Sequence, residues 1–493
     1  MLFLIDSNIA IASEPLGASL EPGACSAIEF LELASRNHHD LRTHPASLRD
    51  FARIQDPAKR AARLVLFQRY TSIGGPPSIS ERQAALLGIP VRGSNDEVDQ
   101  ELLAAIEGDA AEYLVSEDQG LHGRARRLGI GDRVITVADA VVMLKALHPD
   151  LPAPPPTVQR LKAHQLNIND TIFDGLKEDY PGFGSWFAKA ARSQRDALLI
   201  EGCHEHAAIA ILKPEPEGAY GIRGPLLKVS TLKVASGYSG QKYGELLLKA
   251  IFHQAHVERD RGIYLTAFDK HMQLLELLED FGFYSLPMRS ELGEQICLKL
   301  CQAPNCGTSP LDYHVRYGPP ALAMEADRVF IVPIRPKWHR VLFPDAEPIR
   351  DDALLPATAG LALQPFGNAI RKAYLCTSPS RRLRPGDTLL FYRSDDERAV
   401  YVVGVCENVM VSTKAEQIAA VVGRRTVYSM AEIHEMARTR EVLVVQFRQD
   451  RILSSEPVGI EELVMAGVIQ RSPQSITKTR PEGAAWLARR IQV

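Results

Sequence analysis

The chain predicts a multidomain α/β protein, and three observations carry that prediction. Its 493 residues exceed one ordinary core, so length alone points to roughly three domains. Apolar residues recur at alternating strand and helix spacings through the first 150 residues. Two stretches then interrupt the pattern. In HPDLPAPPPTV, residues 148–158, Pro149, Pro152, Pro154, Pro155 and Pro156 favour extended backbone and stop a helix. In CQAPNCGTSP, residues 301–310, Pro, Asn, Gly and Ser cluster as a second boundary.

Composition narrows the class. At 45% hydrophobic and 24% charged the chain is a folded protein rather than a disordered one. A net charge of -3 gives no overall attraction to nucleic acid. The charge is uneven: residues 1–150 hold 15 Lys+Arg against 21 Asp+Glu, and residues 361–493 hold 19 against 14. The N-terminal part therefore supplies acids and the C-terminal part suits an anion, unless the difference is ordinary surface variation. Seven scattered cysteines fit a reducing, cytoplasmic setting better than a disulfide scaffold. The first residues lack the basic start of a secretory signal, and no apolar run reaches the roughly 20 residues of a membrane helix.

The first segment, LFLID, reads as a buried strand ending at Asp6. Helices are expected over Ser26–Ser35 and Pro45–Ile54, the latter with Leu48, Phe51 and Ala52 on one face. Val98, Leu102, Leu103 and Ile106 recur at helical spacing. Glu112–Val115 reads as a strand, SEDQGLHGRARRLG as a turn into a helix, and Val134–Val137 as another strand, so a parallel sheet is expected. Four acids fall within or beside these elements: Asp6, Asp50, Asp99 and Asp118. Strand ends and helix starts share one crevice in such a sheet. Alone, each acid reads as a cap or turn residue. Together they repel one another, and a hard divalent cation would relieve the repulsion and activate water against a phosphodiester.

In these motifs residues 1–148 resemble a PIN domain, a family of metal-dependent ribonucleases. Asp6-Ser7-Asn8 after a hydrophobic strand and Ser116-Glu117-Asp118 after a later one carry the resemblance, with Asp99 (or Asp96) as the helix acid and Asp50 where a Glu is usual. The resemblance implies Mg2+ or Mn2+ on Asp6, Asp50, Asp99 and Asp118. It makes Asn8 and Ser116 supporting donors and Glu117 either an extra ligand or a solvated acid.

Residues 149–158 then form the Pro-rich linker. Beyond it, residues 208–213 and 226–235 read as strands, YGELLLKAIFHQAHVERD as a long amphipathic helix, residues 262–268 as a strand, and HMQLLELLEDFGFYSL as a helix followed by a strand. In SGYSGQKYGELLLKAIF, glycines permit a tight turn, and the amides at the helix start suit phosphate oxygens. The spacing is neither a Walker A nor a dinucleotide fingerprint. Residues 159–302 resemble the GNAT fold of acetyl-CoA-dependent N-acetyltransferases. Leu232, Val234, Ser239, Gly240, Gln241, Lys242, Tyr243 and Gly244 align with its cofactor strand and loop, and Leu277–Phe283 with its late helix and Gly-Phe turn. Ser239 stands where the family has Arg or Gln, and Lys242 where it has its middle Gly. The resemblance implies acetyl-CoA on that loop. Candidates for acid and base are Glu201, Glu205 and Tyr284, with His204 and His206 as further bases.

Residues 303–327 read as a connector. In it Cys306 and His314, with Cys301 just before, lack a clear fourth zinc ligand. Residues 328–460 contain the short strands FIVPI, DTLLFYRS, AVYVVGVCEN and VLVVQF, which predict a curled β structure. Arg371, Lys372, Arg381, Arg382, Arg384 and Arg393 lie among Tyr374, Phe391 and Tyr392, a combination suited to RNA. Arg384-Pro385-Gly386-Asp387 leading into a strand resembles the PUA-like superfamily, its ASCH and EVE branches above all, and implies a β-barrel that contacts RNA through this basic set and Tyr392. Residues 461–493 are expected as a helical extension.

Three functions follow as expectations. The first is an acetyl-CoA-dependent transferase acting on an amine of RNA, aminoacyl-tRNA or an RNA-associated protein. The second is a metal-dependent ribonuclease with a regulatory GNAT-like domain. The third is a non-catalytic RNA-binding regulator. The association of PIN and GNAT folds with toxin systems also implies an antitoxin or other protein partner, and no membrane is expected.

Overall fold

The computed structural model describes the chain except residues 10–23, scattered positions between 53 and 69, and residues 150–157, 203–204, 239, 302–307, 347–368, 424, 454 and 492–493. Most of the Pro-rich stretch, Ser239, His204 and Cys306 therefore lie outside the described residues. The chain divides into two compact units. Met1–Asp150 forms the first together with Ser412–Arg424 and Tyr428–Thr439; the remainder forms the second. No described helix is long and apolar enough to cross a membrane.

The first unit is built on β1 (Leu2–Ile5), β2 (Asp40–Thr43), β3 (Thr71–Ser72), β4 (Tyr113–Val115) and β5 (Val134–Ile135). They lie in the order β3-β2-β1-β4-β5, all parallel. Phe3, Leu4 and Ile5 are fully buried, as the continuous apolar run of a central parallel strand requires. Leu102, Leu103 and Ile106 of the helix Asn95–Glu107 pack with Leu4, Leu114 and Leu121 in one core. The expected last strand is shorter than its apolar run: Thr136 caps the helix Val137–Leu147, with its hydroxyl accepting from the Asp139 amide. Two later helices, Ala415–Val422 and Met430–Thr439, belong to this unit, and the Tyr113 hydroxyl donates to the Ala420 carbonyl.

The second unit holds two large sheets. The first contains β6 (Gln159–Lys162), β7 (Asp196–Glu201) and β8 (His206–Glu215). A small hairpin of β9 (Gly218–Ala219) and β10 (Ile222–Arg223) precedes β11 (Leu226–Val234). The sheet continues with β12 (Gly262–Ala267), β13 (Tyr284–Arg289) and β14 (Gln295–Leu300). Its order is β13-β14-β12-β11-β8-β7-β6, and only β11 and β12 are parallel neighbours. The helix Tyr243–Val257 packs on it through Leu247, Leu248, Ile251 and Phe252.

The other sheet contains β15 (Val329–Ile334), β16 (Arg371–Cys376), β17 (Thr388–Arg393), β18 (Ala399–Ser412), β19 (Val442–Ile452), β20 (Val458–Gly459) and β21 (Thr477–Lys478). It runs β16-β19-β18-β17-β15-β21, with β20 on β18. Among the described residues this path does not close. The short β21 pairs with β15 and leaves β16 at the opposite end, so the expected barrel is an open mixed sheet. Residues 461–493 are less helical than expected: the helices Ile460–Met465 and Ala484–Ile491 flank a long loop and β21.

Candidate functional site

In the first unit the strand order reverses at β1 and β4, which creates a crevice at their C-terminal ends. Asp6 follows β1 directly, and Asp118 stands three residues after the end of β4. Asp6 is 7% exposed and accepts from the Ser116 hydroxyl at 2.6 Å and the Ser7 amide at 2.6 Å. The Ser7 hydroxyl bridges Asp6 (3.3 Å) and Asp50 (3.2 Å). Asn8 donates to the Ser116 hydroxyl at 3.4 Å, and its own side-chain oxygen is buried without a described partner. Burial pushes the Asp6 carboxyl up, the serine hydrogen bonds oppose that, and Asp50 adds to it. Burial also raises Asp99, to about 7; Arg124 counters, while Asp118, Asp6 and Asp50 reinforce. The four acids therefore share one electrostatic neighbourhood.

The crevice is also occupied by the chain itself. Arg124 binds Asp99 at 2.7 Å and also pairs with Asp96. Asp118 caps the helix Gln119–Arg127, accepting from the Leu121 amide at 3.0 Å. Glu117 is exposed and accepts from the Val137 amide at 2.9 Å. Among the described residues, no group of three or more His, Cys, Asp or Glu is arranged to hold a metal ion. Carboxylates are the right donors for magnesium, but as arranged their oxygens are engaged by serines, amides and Arg124. Arg124 was not visible as a partner in the sequence, because GRARR reads as a basic helix end.

In the second unit, β11 and β12 pair only at Leu226–Gly262, Leu227–Ile263 and Lys228–Tyr264, although β11 runs on to Val234 and β12 to Ala267. β11 keeps its other partner, β8, to Val234 with a register shift between Val229 and Thr231. The two strands thus part, and Leu232 and Val234 lie on the parting arm of β11. At the end of that arm the chain turns through Gly240 (φ 78°) and Lys242 (φ 62°) into the helix that starts at Tyr243. Left-handed backbone is cheap at Gly240 and costs about 1 kcal/mol or more at Lys242. A Cβ at Gly244 would stand 2.9 Å from Leu277 Cδ2, a contact that a shift of the leucine side-chain end would relieve. The rings of Tyr238 and Tyr243 stack at 5.8 Å across the turn. Glu245 turns inward, 3% exposed, and accepts from the amides of Ile370 (2.7 Å) and Arg371 (2.8 Å).

Glu201 and Tyr284 lie far apart in this sheet. Glu201 is on β7, two strands from β11, and faces His206 Nδ1 at 3.2 Å; Tyr284 is on the edge strand β13 and is 47% exposed. Glu205 accepts from the Thr171 hydroxyl. Nearer the split is a pair the sequence did not mark: the Tyr180 hydroxyl donates to Glu294 at 2.5 Å, and Tyr180 stacks on Phe268, the residue after β12, at 5.4 Å. Tyr180 and Glu294 are 114 positions apart, so no local motif announces them. His314 is committed to Asp450 (3.2 Å) and the Ala321 carbonyl (3.1 Å).

The basic set separates by burial. Lys372 is buried, with Nζ on the Leu342 carbonyl at 2.5 Å, and burial pushes its ammonium well below the usual lysine range. Tyr392 is 1% exposed, and Arg393 is 5% exposed and bound to Asp396 at 2.6 Å. Arg371 joins Arg425 and Arg448 around Glu407 at 2.9, 3.0 and 3.3 Å. Burial alone would raise the Glu407 carboxyl; the three guanidiniums hold it down at about 2. Arg381, Arg382 and Arg384 remain exposed, Arg381 on Glu441 at 2.7 Å. These three are the accessible part of the basic set.

No protein-family model and no curated protein matches the chain. Solved structures resemble parts of it. An ASCH protein from Zymomonas mobilis is 12% identical and aligns over 33% of this chain and 95% of its own, with a TM-score of 0.24. A GNAT family acetyltransferase from Elizabethkingia anophelis with acetyl-CoA bound is 14% identical over 30% of this chain and 97% of its own, at 0.21. The PaiA N-acetyltransferase from Thermoplasma acidophilum, in complex with coenzyme A, is 15% identical over 29% and 99%, at 0.23. Each likeness spans about a third of this chain, and scores this low assign no activity.

Proposed function

We propose that the chain is a GNAT-type acyltransferase that uses acetyl-CoA to acetylate an amine. The observation that carries this reading is the parting of β11 from β12 beside a glycine turn that opens a helix. The residues fit the cofactor: the turn into the helix at Tyr243, with Lys242 and the Gly244 amide, would hold its phosphates, while the Gln241 amide stays on the Tyr238 carbonyl at 3.4 Å, and Leu232 and Val234 would line its path. Bound acetyl-CoA supplies a thioester carbonyl. The chain holds the amine in place, with Glu294, fixed by Tyr180 and by Ser290 at 2.8 Å, as the acceptor for its N–H groups. An acceptor on RNA, aminoacyl-tRNA or an RNA-associated protein is supported by the exposed Arg381, Arg382 and Arg384. In this reading the parallel α/β unit is PIN-like and the open mixed sheet ASCH-like.

Calorimetric titration of the full chain with acetyl-CoA tests the reading. Micromolar binding is expected. Lys242→Glu, which leaves the backbone demands unchanged, should weaken it at least tenfold. No heat from a folded protein would overturn it.

A second reading, a Mg2+- or Mn2+-dependent ribonuclease, draws on the shared neighbourhood of Asp6, Asp50, Asp99 and Asp118. The ion pairs of Arg124 stand against it. Manganese-dependent RNA cleavage abolished by Asp6→Asn would favour it over simple structural acids.

A further inference from the structure

In the second unit the loop between the helices Ile460–Met465 and Ala484–Ile491 folds around a half-open cleft of about 400 Å3 lined by residues from Ile469 to Arg480. Its wall carries three cations, Arg471, Lys478 and Arg480, with the side chains of Gln470, Ser472 and Gln474 between them. The loop is anchored at both ends. Thr479 and Arg480 donate their amides to the carbonyls of Val329 (3.0 Å) and Val468 (2.9 Å), β21 pairs with β15, and the Ser472 hydroxyl meets the buried Tyr392 hydroxyl at 3.3 Å. The pocket is therefore held by the sheet and needs no partner to form.

Its charge is unbalanced. Glu482 lies 3.2 Å from Arg480 and Asp327 4.0 Å from Lys478, and both acids are more than 60% exposed, where pairing is worth little. No ion pair of Arg471 occurs among the described residues, and its side chain is exposed. The lining includes no aromatic ring, so stacking on a base is not how this wall recognises a ligand. Guanidinium forks, an ammonium, amides and hydroxyls together are donors for phosphate oxygens. The volume falls at the low end of small-ligand sites, about 300–1,000 Å3, and suits one phosphorylated unit rather than a large apolar molecule.

We propose that this loop is a phosphate-binding site that takes the phosphate of a nucleotide, free or within an RNA strand. The site is separate from the acetyl-CoA loop, and either can fail without the other. The test uses the whole 493-residue chain and two probes: adenosine monophosphate by calorimetry and a labelled single-stranded oligoribonucleotide by fluorescence anisotropy. Each is titrated into wild type, Arg471→Gln, the Arg471→Gln/Arg480→Gln pair, and Lys242→Glu. Saturable binding is expected, weakened at least tenfold in the pair and unchanged in Lys242→Glu. For RNA, the slope of affinity against salt should fall by about one per cation removed. Binding of the oligoribonucleotide alone assigns the phosphate to RNA, and equal binding of the monophosphate assigns it to a free nucleotide. Binding of neither probe overturns the proposal, as does binding undiminished in the folded double variant. Arg471→Gln, an exposed change, should leave the melting temperature unchanged and so keeps the test clear of folding defects.

Discussion

Two crevices in this molecule open at the C-terminal ends of neighbouring parallel strands, and they are built from different groups. Beyond β1 and β4 the crevice is crowded with charge: Asp6, Asp50, Asp99 and Asp118 lie within electrostatic reach, and Arg124 and Ser116 already engage them. Beyond the last pair of β11 and β12 the strands part, and the adjoining turn runs through left-handed Gly240 and Lys242 into the helix that starts at Tyr243. A crevice is free to take a ligand when its polar groups are not already answering one another. By that criterion the first is the poorer candidate, although it contains the more conspicuous residues.

The largest effect expected on this comparison comes from the support behind the second crevice. Glu245→Ala leaves the buried amides of Ile370 and Arg371 without their acceptor and should cost about 2–4 kcal/mol, read as a lower denaturation midpoint. Glu245→Gln, which keeps an acceptor oxygen, should recover part of it.

Acid sharpens the contrast next. Glu407, in the same unit, has its carboxyl held at about 2 against an ordinary 4.5. A depressed folded pKa means the unfolded chain binds the proton more readily. The stabilisation, about 3 kcal/mol, is therefore complete above pH 4.5 and is lost as pH falls toward 2. Glu407→Gln should remove that acid limb from a stability–pH curve. An unchanged limb would mean that other carboxylates set it.

The first crevice can be tested by emptying it. Arg124→Ala removes the cation between Asp96 and Asp99 and should destabilise by about 1 kcal/mol or less at neutral pH, with Asp99→Asn restoring part of the loss in the double variant. If Arg124→Ala instead gains stabilising manganese binding, the first crevice is a masked metal site. The smallest effect is at the turn. Lys242→Gly should stabilise by about 0.5–1 kcal/mol by relieving left-handed backbone, provided the contacts of the lysine side chain contribute less than that.

Much of this arrangement could be read from residues alone, because it follows from local periodicity. The strand Leu2–Ile5, the helix start at Tyr243 and the acids at element ends are consequences of apolar spacing and turn chemistry. What could not be read was tertiary. Nothing in the sequence tells that Lys372 and Arg393 face inward while Arg382 faces out, since all three sit in the same basic, aromatic stretch. The ion pair of Arg124 with Asp99 bridges two helices, and the contact of Tyr180 with Glu294 spans 114 positions. The open path of the last sheet depends on a two-residue strand at Thr477, too short to show a period. The helices Ala415–Val422 and Met430–Thr439 join the first unit across more than 260 residues of intervening chain, which no linear boundary could express.

The measurement that tests the central claim most directly is amide hydrogen exchange of the full chain with and without acetyl-CoA. Slowed exchange confined to Leu232–Val234 and Gln241–Glu245 is the predicted result, because those amides border the split and the turn. Binding without protection there, or protection centred on Asp6 and Asp118 instead, would contradict the assignment of the parted strands as the acyl-donor site.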